Sequence, residues 1–171
     1  MKNLLFIAVM LFSVVGFSQQ NNQIVKDAQS GKDILIGQCD RQALTNPTFA
    51  DAYNKGYNSY APDQEVVKKL KKEKKNVQVV VVMGSWCSDS KTQVPHLYKI
   101  MDEAGIKDSD VRLISVDREK TGGDVDVSAY DIQRVPTFIF YKDGREIGRI
   151  VESPSTSALE KDLLLIFSLG S

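Results

Sequence analysis

Residues 84–95 read GSWCSDSKTQVP, and this stretch carries the strongest structural signal in the chain. It follows residues 77–83, VQVVVVM, a run of β-branched residues that is typical of a strand buried on both faces of a sheet. Over about residues 88–104, apolar residues recur at helical spacing, with Pro95 inside the segment. The sequence therefore predicts a buried strand, a short turn and a long helix whose beginning carries Cys87.

Cys87 is the candidate nucleophile of this segment. A cysteine in the first turn of a helix lies beside unpaired backbone N–H groups and the positive end of the helix dipole, which stabilise a thiolate. The thiolate is the form that attacks disulfides and other electrophiles. Asp89 acts in the opposite direction, because a nearby carboxylate disfavours a second anion. The pattern favours a reactive thiol that is only modestly activated.

A second informative segment, residues 132–150, reads IQRVPTFIFYKDGREIGRI. Two strand-like runs, 137–141 and 146–152, flank the residues Lys-Asp-Gly-Arg. Asp-Gly between such runs favours a tight hairpin turn, because both central residues of that turn need a positive φ. The segment therefore predicts a β-hairpin that begins directly after Pro136.

Trp86, Cys87, Lys91 and Pro95 resemble the active-site segment of the thioredoxin family, in which Trp-Cys-x-x-Cys-Lys is followed by a helix-kinking proline. The second cysteine of that motif corresponds to Ser90 in this chain. The resemblance implies that Cys87 is the catalytic nucleophile and that Trp86 shapes the rim of the site. It also implies that Ser90 and Lys91 tune the thiolate.

Residues 132–150 resemble the second conserved segment of the thioredoxin family, with Pro136 as its cis-proline. The family resemblance implies that Val135, Pro136 and Thr137 dock the backbone of a substrate strand opposite the nucleophile. The resemblance covers about residues 62–168. It implies an α/β thioredoxin fold, in which a central mixed β-sheet is flanked by helices on both faces, with a partly helical N-terminal extension.

Departures from the family pattern bear on the chemistry. Ser90 cannot attack a mixed disulfide as the second family cysteine does. Val81 stands where thioredoxins usually carry a buried acid, and Glu152 stands where the family often has a glycine. We therefore expect exchange through Cys87 alone, in which a mixed disulfide forms with a protein or small-molecule substrate and a second thiol resolves it.

Cys39 is the other cysteine in the sequence, and three roles are open to it. It can be a small apolar side chain or an unpaired thiol in the core. It can resolve the mixed disulfide of Cys87, or form a standing disulfide with Cys87. The distance between the two cysteines in the fold decides among these roles.

The N-terminal segment predicts export. Lys2 precedes an apolar run at residues 4–15, which is followed by small residues, as in a secretory signal sequence. We expect residues 1–18 to be a signal peptide cleaved after Ser18, residues 19–61 to be an N-terminal extension, and residues 62–171 to be a thioredoxin-like domain. The expected product is secreted, in the periplasm, with no membrane span in its mature form.

Composition argues against several other classes of function. Twenty-two basic residues balance 22 acidic residues, so the chain has no excess of positive charge that would favour nucleic acid. The single histidine, His96, has no partner at zinc-ligand spacing, so we expect no metal, and no organic cofactor is implied.

An aromatic stripe supplies a second functional hypothesis. Phe49, Tyr53, Tyr57 and Tyr60 recur at helical spacing, and they form either core packing or a surface that binds an unfolded client. If the stripe is a surface that binds clients, the protein is a thioredoxin-fold binding or chaperone module without turnover. The reactivity of Cys87 discriminates between this module and an exchange enzyme.

Overall fold

The structure, a computed structural model, describes residues 21–169. The predicted signal peptide and its cleavage point after Ser18 lie outside the described residues. The strands are β1 (Gln23–Lys26), β2 (Asp33–Cys39), β3 (Val77–Met83), β4 (Val111–Ser115), β5 (Thr137–Lys142) and β6 (Arg145–Val151). The α-helices are α1 (Ala50–Ser59), α2 (Gln64–Glu73), α3 (Ser88–Ala104) and α4 (Leu159–Leu169). Among the described residues, no helix is long and apolar enough to cross a membrane.

The six strands form one mixed sheet in the order β1-β2-β4-β3-β5-β6. β3 and β4 are parallel and are connected through α3, whereas every other neighbouring pair is antiparallel. β3 lies inside the sheet, and six of its seven residues are buried, as its run of valines predicts. The carboxyl end of β3 leads directly into residues 84–87, which places Cys87 at the edge of the sheet.

All four helices pack on one face of the sheet. Their buried side chains belong to a single core with residues of β3 and β5 such as Val79, Val81 and Phe138. Residues of β3 and β5 that point the other way, Val80 and Ile139 among them, belong to a separate smaller core. The sheet therefore has a helical face and a second face that no α-helix of residues 21–169 covers.

The predicted mixed α/β fold, with a central mixed sheet and flanking helices, is confirmed, but all four α-helices of residues 21–169 pack on one face of the sheet instead of on both. The smaller core on the second face is completed by Val125 and Val135, from the segment between β4 and β5, and by the partly buried Trp86. That segment carries only a short 3-10 helix, Ser128–Tyr130. The sequence TGGDVDVS within it is rich in glycine and polar residues, so it cannot propagate a helix.

The helix that begins after Cys87 forms as its sequence predicts. α3 begins at Ser88 and ends at Ala104, and Gly105 closes it with a φ of 72°. A positive φ at this position favours glycine, because other residues meet steric strain there. α2 also begins as predicted, since the carboxylate of Asp63 accepts from the backbone N–H groups of Glu65 and Val66.

Proline suits the first position of a helix, so the sequence predicts helices that begin at Pro47 and near Pro154, and both helices begin later than that. α1 begins at Ala50 instead of Pro47. A 3-10 helix, Arg41–Thr45, precedes it, and the side-chain oxygen of Asn46 accepts from the N–H of Thr48 at 3.0 Å. α4 begins at Leu159 instead of near Pro154. Side chains that bind backbone N–H groups hold non-helical turns at both places.

The aromatic stripe lies in the core. Phe49 and Tyr53 are buried, at 1% and 7% exposure, and Tyr57 and Tyr60 pack against the same core. Tyr57 also donates its hydroxyl to Asp102 at 2.6 Å. The core-packing interpretation of the stripe is therefore confirmed.

Residues 21–61 share the sheet and the core with the rest of the protein. β2 pairs with β4 in the register Cys39 to Leu113, and Leu35 and Leu44 are fully buried. At the other end of β2, the N–H of Leu35 donates to the hydroxyl of Ser85 at 2.9 Å. This segment therefore reaches the edge of the sheet where Cys87 lies.

Candidate functional site

Cys87 lies at the N-cap of α3, in extended backbone with φ −85° and ψ 132°. It is partly exposed, and its side chain makes no capping hydrogen bond to the helix. The thiol donates instead to the carbonyl oxygen of Val135, with Sγ and oxygen 3.1 Å apart. The sulfur thus lies between the open end of α3 and the loop before β5, within reach of a solvent-borne disulfide.

Val135 and Pro136 are joined by a cis peptide bond, as the family resemblance implies. The carbonyl groups around this bond are occupied: Val135 accepts from Cys87, and Pro136 accepts from the N–H of Glu152 at 2.7 Å. The backbone N–H of Val135 has no hydrogen-bond partner within residues 21–169. One backbone donor therefore lies next to the nucleophile, at the position where a substrate strand is expected to dock.

Thr137 does not face solvent. It is 2% exposed, and its hydroxyl donates to the carbonyl of Arg134 at 2.7 Å. Its side chain stabilises the loop that presents Val135, which is a positioning role.

Ser90 lies beneath the first turn of α3, with none of its surface exposed. Its hydroxyl accepts from the backbone N–H of Gly84 at 3.2 Å, and none of its hydrogen bonds is to Cys87. Ser90 therefore ties the beginning of α3 to the end of β3. Ser90 is close to Cys87 in the sequence, but its hydroxyl forms no hydrogen bond with the Cys87 sulfur in the structure.

Trp86 is held in place on several sides. Its indole N–H donates to the carbonyl of Val116 at 2.9 Å, and the guanidinium of Arg118 lies 4.7 Å from the centre of its ring. A Cβ atom on Gly84 would lie 2.7 Å from the ring, so glycine is required there. The indole forms one rim of the site beside Cys87.

Lys91 is half-buried in the first turn of α3, and its backbone N–H donates to the carbonyl of Cys87 at 3.1 Å. Its ammonium group makes no ion pair within residues 21–169. Asp89, two residues before Lys91, is exposed. The beginning of α3 therefore carries one unpaired cation and one exposed carboxylate.

Cys39 is far from the nucleophile. It is 4% exposed and unpaired, and its partner in β4 is Leu113, whose own partner in β3 is Val81. Two strand spacings separate Cys39 from Val81, or about 10 Å, and Cys87 lies beyond the end of β3. A disulfide requires Cα atoms within about 7 Å, so the structure does not bring these cysteines together.

Burial also makes the Cys39 thiol unreactive. It raises the pKa of Cys39 to about 11, so the thiolate is scarce near neutral pH. Of the three roles open to this residue, the buried and unpaired thiol is the one that the geometry favours.

Val81 and Glu152, the other two departures from the family pattern, lie in a core and next to the cis-proline loop. Val81 is fully buried in the larger core, so the position of the family acid is apolar here. Glu152 adopts a φ of 62°, a conformation that favours glycine, and pairs with Arg134 at 2.8 Å. The backbone thus keeps the glycine-like geometry while its side chain adds a charge near the cis-proline loop.

A buried ion pair behind Trp86 was not predicted. Asp27, at 4% exposure, accepts from Arg118 Nε at 3.0 and 3.2 Å. The hydroxyl of Ser30 and the guanidinium of Arg118 hold the pKa of Asp27 below its usual value. Arg118 follows β4, next to the carboxyl end of β3, and residues at such edges often line sites. No sequence signal pairs it with Asp27, 91 residues away.

Three or more metal-ligating side chains do not cluster anywhere in the described part of the chain. The site therefore consists of the thiol of Cys87, the rim formed by Trp86, and the backbone of the cis-proline loop. These groups can capture a disulfide and orient the strand that carries it.

The chain is similar to several known proteins. A curated relative, the mitochondrial thioredoxin-3 of Saccharomyces cerevisiae, is 32% identical over 91 residues, which cover 53% of this chain and 66% of the relative. The chain thus spans just under two thirds of that relative's length. The crystal structure of the same yeast protein in its oxidised form is 26% identical, covering 58% of this chain and 91% of that one, with a TM-score of 0.36.

A structure of a protein of unknown function from Pseudomonas aeruginosa is 15% identical, and the match covers 77% of this chain and 87% of that chain, with a TM-score of 0.52. This likeness concerns the fold alone. The sequence model of the family described as thioredoxin matches residues 42–160, which include the nucleophile, the cis-proline loop and all but two of the strands. The mixed α/β sheet, the cysteine at the beginning of α3 and this match together show that the chain belongs to the thioredoxin family.

Proposed function

We propose that this protein performs thiol-disulfide exchange through Cys87 as its single nucleophile. Membership of the thioredoxin family supports redox chemistry of thiols and disulfides. The observation that carries the proposal is the contact between the Sγ atom of Cys87 and the carbonyl of Val135, at 3.1 Å. It puts a partly exposed thiol at a helix N-terminus, beside a backbone N–H that a substrate strand can use.

The reaction begins with loss of the Cys87 proton to solvent. The resulting thiolate attacks one sulfur of the substrate disulfide, a new S–S bond forms with Cys87, and the old S–S bond breaks. The departing sulfur leaves as a thiolate with the electron pair of that bond.

The mixed disulfide requires a thiol from outside this chain. Ser90 has no sulfur, and Cys39 lies in the core across two strand spacings, so neither resolves it. A second small-molecule or protein thiol attacks the mixed disulfide, takes the substrate sulfur and regenerates Cys87. The substrates are therefore thiols and disulfides of small molecules or proteins.

The proposed location is the periplasm, after removal of residues 1–18. The Lys-apolar-small pattern of that segment supports it. The mass of the protein recovered from a periplasmic extract tests this point: cleavage after Ser18 leaves Gln19 as the first residue, and an intact N-terminus in the cytoplasmic fraction would contradict it.

Incubation of the reduced protein with glutathione disulfide tests the exchange chemistry. Intact mass should increase by one glutathione, at Cys87, and reduced glutathione should reverse the change. The Cys87→Ser variant should stay unmodified, and the Cys39→Ala variant should behave as the wild type. If the wild type forms no adduct, exchange through Cys87 is overturned and the binding module is the remaining hypothesis, although Phe49 and Tyr53 are buried and only Tyr57 and Tyr60 of the aromatic stripe are partly exposed.

A further inference from the structure

A pocket of about 280 Å³ is lined in part by Trp86, the residue that directly precedes Cys87. Its walls include side chains from the turn before β2, the segment before α1, the turn between β3 and α3, the beginning of α3 and the segment after β4. They are Lys32, Thr48, Ser85, Trp86, Lys91 and Arg118. We call this cavity the Trp86 pocket. Ser85 and Trp86 directly precede Cys87 and Lys91 follows it by four residues, so the pocket lies in the neighbourhood of the reacting sulfur.

The Trp86 pocket has an excess of positive charge. Arg118 is neutralised by Asp27, and Asp33, the one acidic residue in the walls, pairs with Lys26 at 2.8 Å. The ammonium groups of Lys32 and Lys91 form no ion pair within residues 21–169. Two uncompensated cations therefore face one cavity, although the chain as a whole is neutral.

Neutral donors in the same walls also lack acceptors. The hydroxyl oxygen of Thr48 is the one buried side-chain nitrogen or oxygen in residues 21–169 without a hydrogen-bond partner. The hydroxyl of Ser85 accepts from Leu35, which leaves its own proton without an acceptor in the described residues. Unpaired buried polar groups are rare in folded proteins and call for an explanation. An acceptor entering the pocket supplies that partner.

We propose that the Trp86 pocket binds a carboxylate that the substrate carries close to its disulfide. Lys32 and Lys91 provide the charge, and the hydroxyl of Ser85 provides a directed hydrogen bond. A phosphate would also find cations here, but the disulfides of the proposed function, glutathione disulfide and peptide disulfides, carry carboxylates. This inference rests on the proposed function, since it names the disulfides that Cys87 prefers.

Exchange with an acidic disulfide keeps the balance of the general reaction. The thiolate of Cys87 attacks the sulfur nearer the bound carboxylate, a new S–S bond joins them, and the other sulfur leaves with the electron pair. The carboxylate itself undergoes no chemistry. Its attraction to the two lysines lowers the free energy of the encounter complex and also that of the transition state.

Two chromogenic disulfides test the inference. Dithiobis-nitrobenzoate carries a carboxylate on each ring, whereas dithiodipyridine is neutral, and each releases a product that is followed by its absorbance, a nitrothiobenzoate thiolate and a thiopyridone. Each rate on the Cys39→Ala protein is divided by the rate on a short cysteine peptide, which removes the intrinsic reactivity of the probe. We expect the corrected rate to favour the acidic probe and the preference to fall in high salt, where exposed charges are screened.

A matched pair of lysine variants locates the effect. Lys32→Gln should lower the ratio of acidic to neutral rate about two- to fivefold, the range expected for one partly exposed ion pair. Lys69→Gln removes an equally exposed lysine from α2, outside the pocket, and should leave the ratio as in the wild type. The side chain of Lys32 has no partner in residues 21–169, so its replacement should not disturb the fold.

The outcomes separate the inference from the proposed function. Equal corrected rates for both probes, or equal ratios for Lys32→Gln and Lys69→Gln, overturn the carboxylate pocket while exchange at Cys87 stands. Failure of Cys87 to react with the neutral probe overturns the proposed function itself.

Two comparisons determine whether the carboxylate belongs to a small-molecule disulfide or to a protein. Glutathione disulfide is compared with its amidated analogue, and a peptide disulfide with Asp beside the cysteine is compared with the same peptide containing Asn. A preference for the acidic member of the first pair indicates a small-molecule substrate, and a preference in the second indicates an acidic protein segment. No preference in either pair overturns the inference.

Discussion

The Sγ atom of Cys87 lies 3.1 Å from the carbonyl oxygen of Val135, which joins two segments that are 48 residues apart in the chain. The first segment ends β3 and begins α3, and the second leads into β5 through the cis peptide bond at Pro136. β5 pairs with β3 in antiparallel register from Thr137 to Val82, so the sheet itself brings the two segments together. The site is therefore a consequence of strand order, and its rigidity comes from the buried sheet beneath it.

Ser90→Cys should convert the protein to a dithiol enzyme. Position 90 lies three residues into the helix that Cys87 caps, so the two side chains lie near each other at the first turn. The variant, in a Cys39→Ala background, should lose two hydrogens in mass on oxidation and should no longer accumulate a glutathione adduct. Loss of the bond from Gly84 to the Ser90 hydroxyl should cost about 1 kcal/mol of unfolding free energy.

Ser88→Cys is the matched control for this change. Ser88 is exposed and directly follows Cys87, and consecutive helical residues do not face each other. This variant should still accumulate the adduct on Cys87. If Ser88→Cys and Ser90→Cys release glutathione equally fast, resolution does not depend on the position of the second thiol.

Elements with strong local signals could be predicted from the sequence. The valine run of β3, the apolar spacing of α3 and the Asp-Gly turn between β5 and β6 each have a local physical cause. In the turn, Asp143 and Gly144 both adopt positive φ, as a two-residue hairpin requires. The nucleophile and the cis-proline loop follow from these elements, because both lie at their ends.

Features that depend on distant residues could not be predicted. The late beginning of α4 reflects Asp162, whose carboxylate accepts from the N–H groups of Ser155 and Thr156 and so holds the preceding turn. The charge of the Trp86 pocket depends on which cations are neutralised, and Arg118 is neutralised by a residue 91 positions away. A single sequence does not show which distant residues pair in the fold.

The two cysteines should differ sharply in alkylation. Cys87 is partly exposed, whereas Cys39 is buried and burial raises its pKa to about 11. At pH 8, iodoacetamide should modify the native protein once, and the second modification should appear only in denaturant, because it requires opening of the core. Cys87→Ser should show no fast modification. Two fast modifications in the native wild type would contradict the buried position of Cys39.

Asp162 should make stability fall in acid. Burial acts to raise its pKa, but hydrogen bonds from Thr156 and Ser155 outweigh burial and hold the pKa of Asp162 below its usual value. Its contribution is therefore complete above the pKa of the unfolded chain, about 3.9, and is lost as pH falls through the lower folded value. Urea unfolding at pH 7 and pH 3 measures this difference.

Asp162→Asn should lower the unfolding free energy at pH 7 by about 1–3 kcal/mol, since an amide accepts fewer hydrogen bonds. The loss should shrink at pH 3, below the unfolded-state pKa of about 3.9, because unfolding of the wild type is favoured there by proton uptake on the unfolded carboxyl group. Asp124→Asn, at an exposed position, is the control and should follow the wild type at both values. An equal loss for Asp162→Asn at pH 7 and pH 3 would show that charge at this position contributes nothing.

Gly84→Ala should displace the indole of Trp86. The added Cβ would lie 2.7 Å from the Cε2 and Nε1 atoms of the ring, so the ring must move and its 2.9 Å hydrogen bond to Val116 must lengthen or break. Overpacking of this kind costs about 1–3 kcal/mol. Trp86 is the single tryptophan of the chain, so its fluorescence emission reports the movement directly.

The same substitution tests how the site is organised. Because Arg118 lies over the Trp86 ring and both line the Trp86 pocket, displacement of the indole should reduce the preference of Cys87 for the acidic probe as well as shift the emission. Ser88→Ala, at an exposed neighbouring position, should change neither quantity. If Gly84→Ala keeps both the emission and the unfolding free energy of the wild type, the close approach of Gly84 to the indole does not hold the rim of this site.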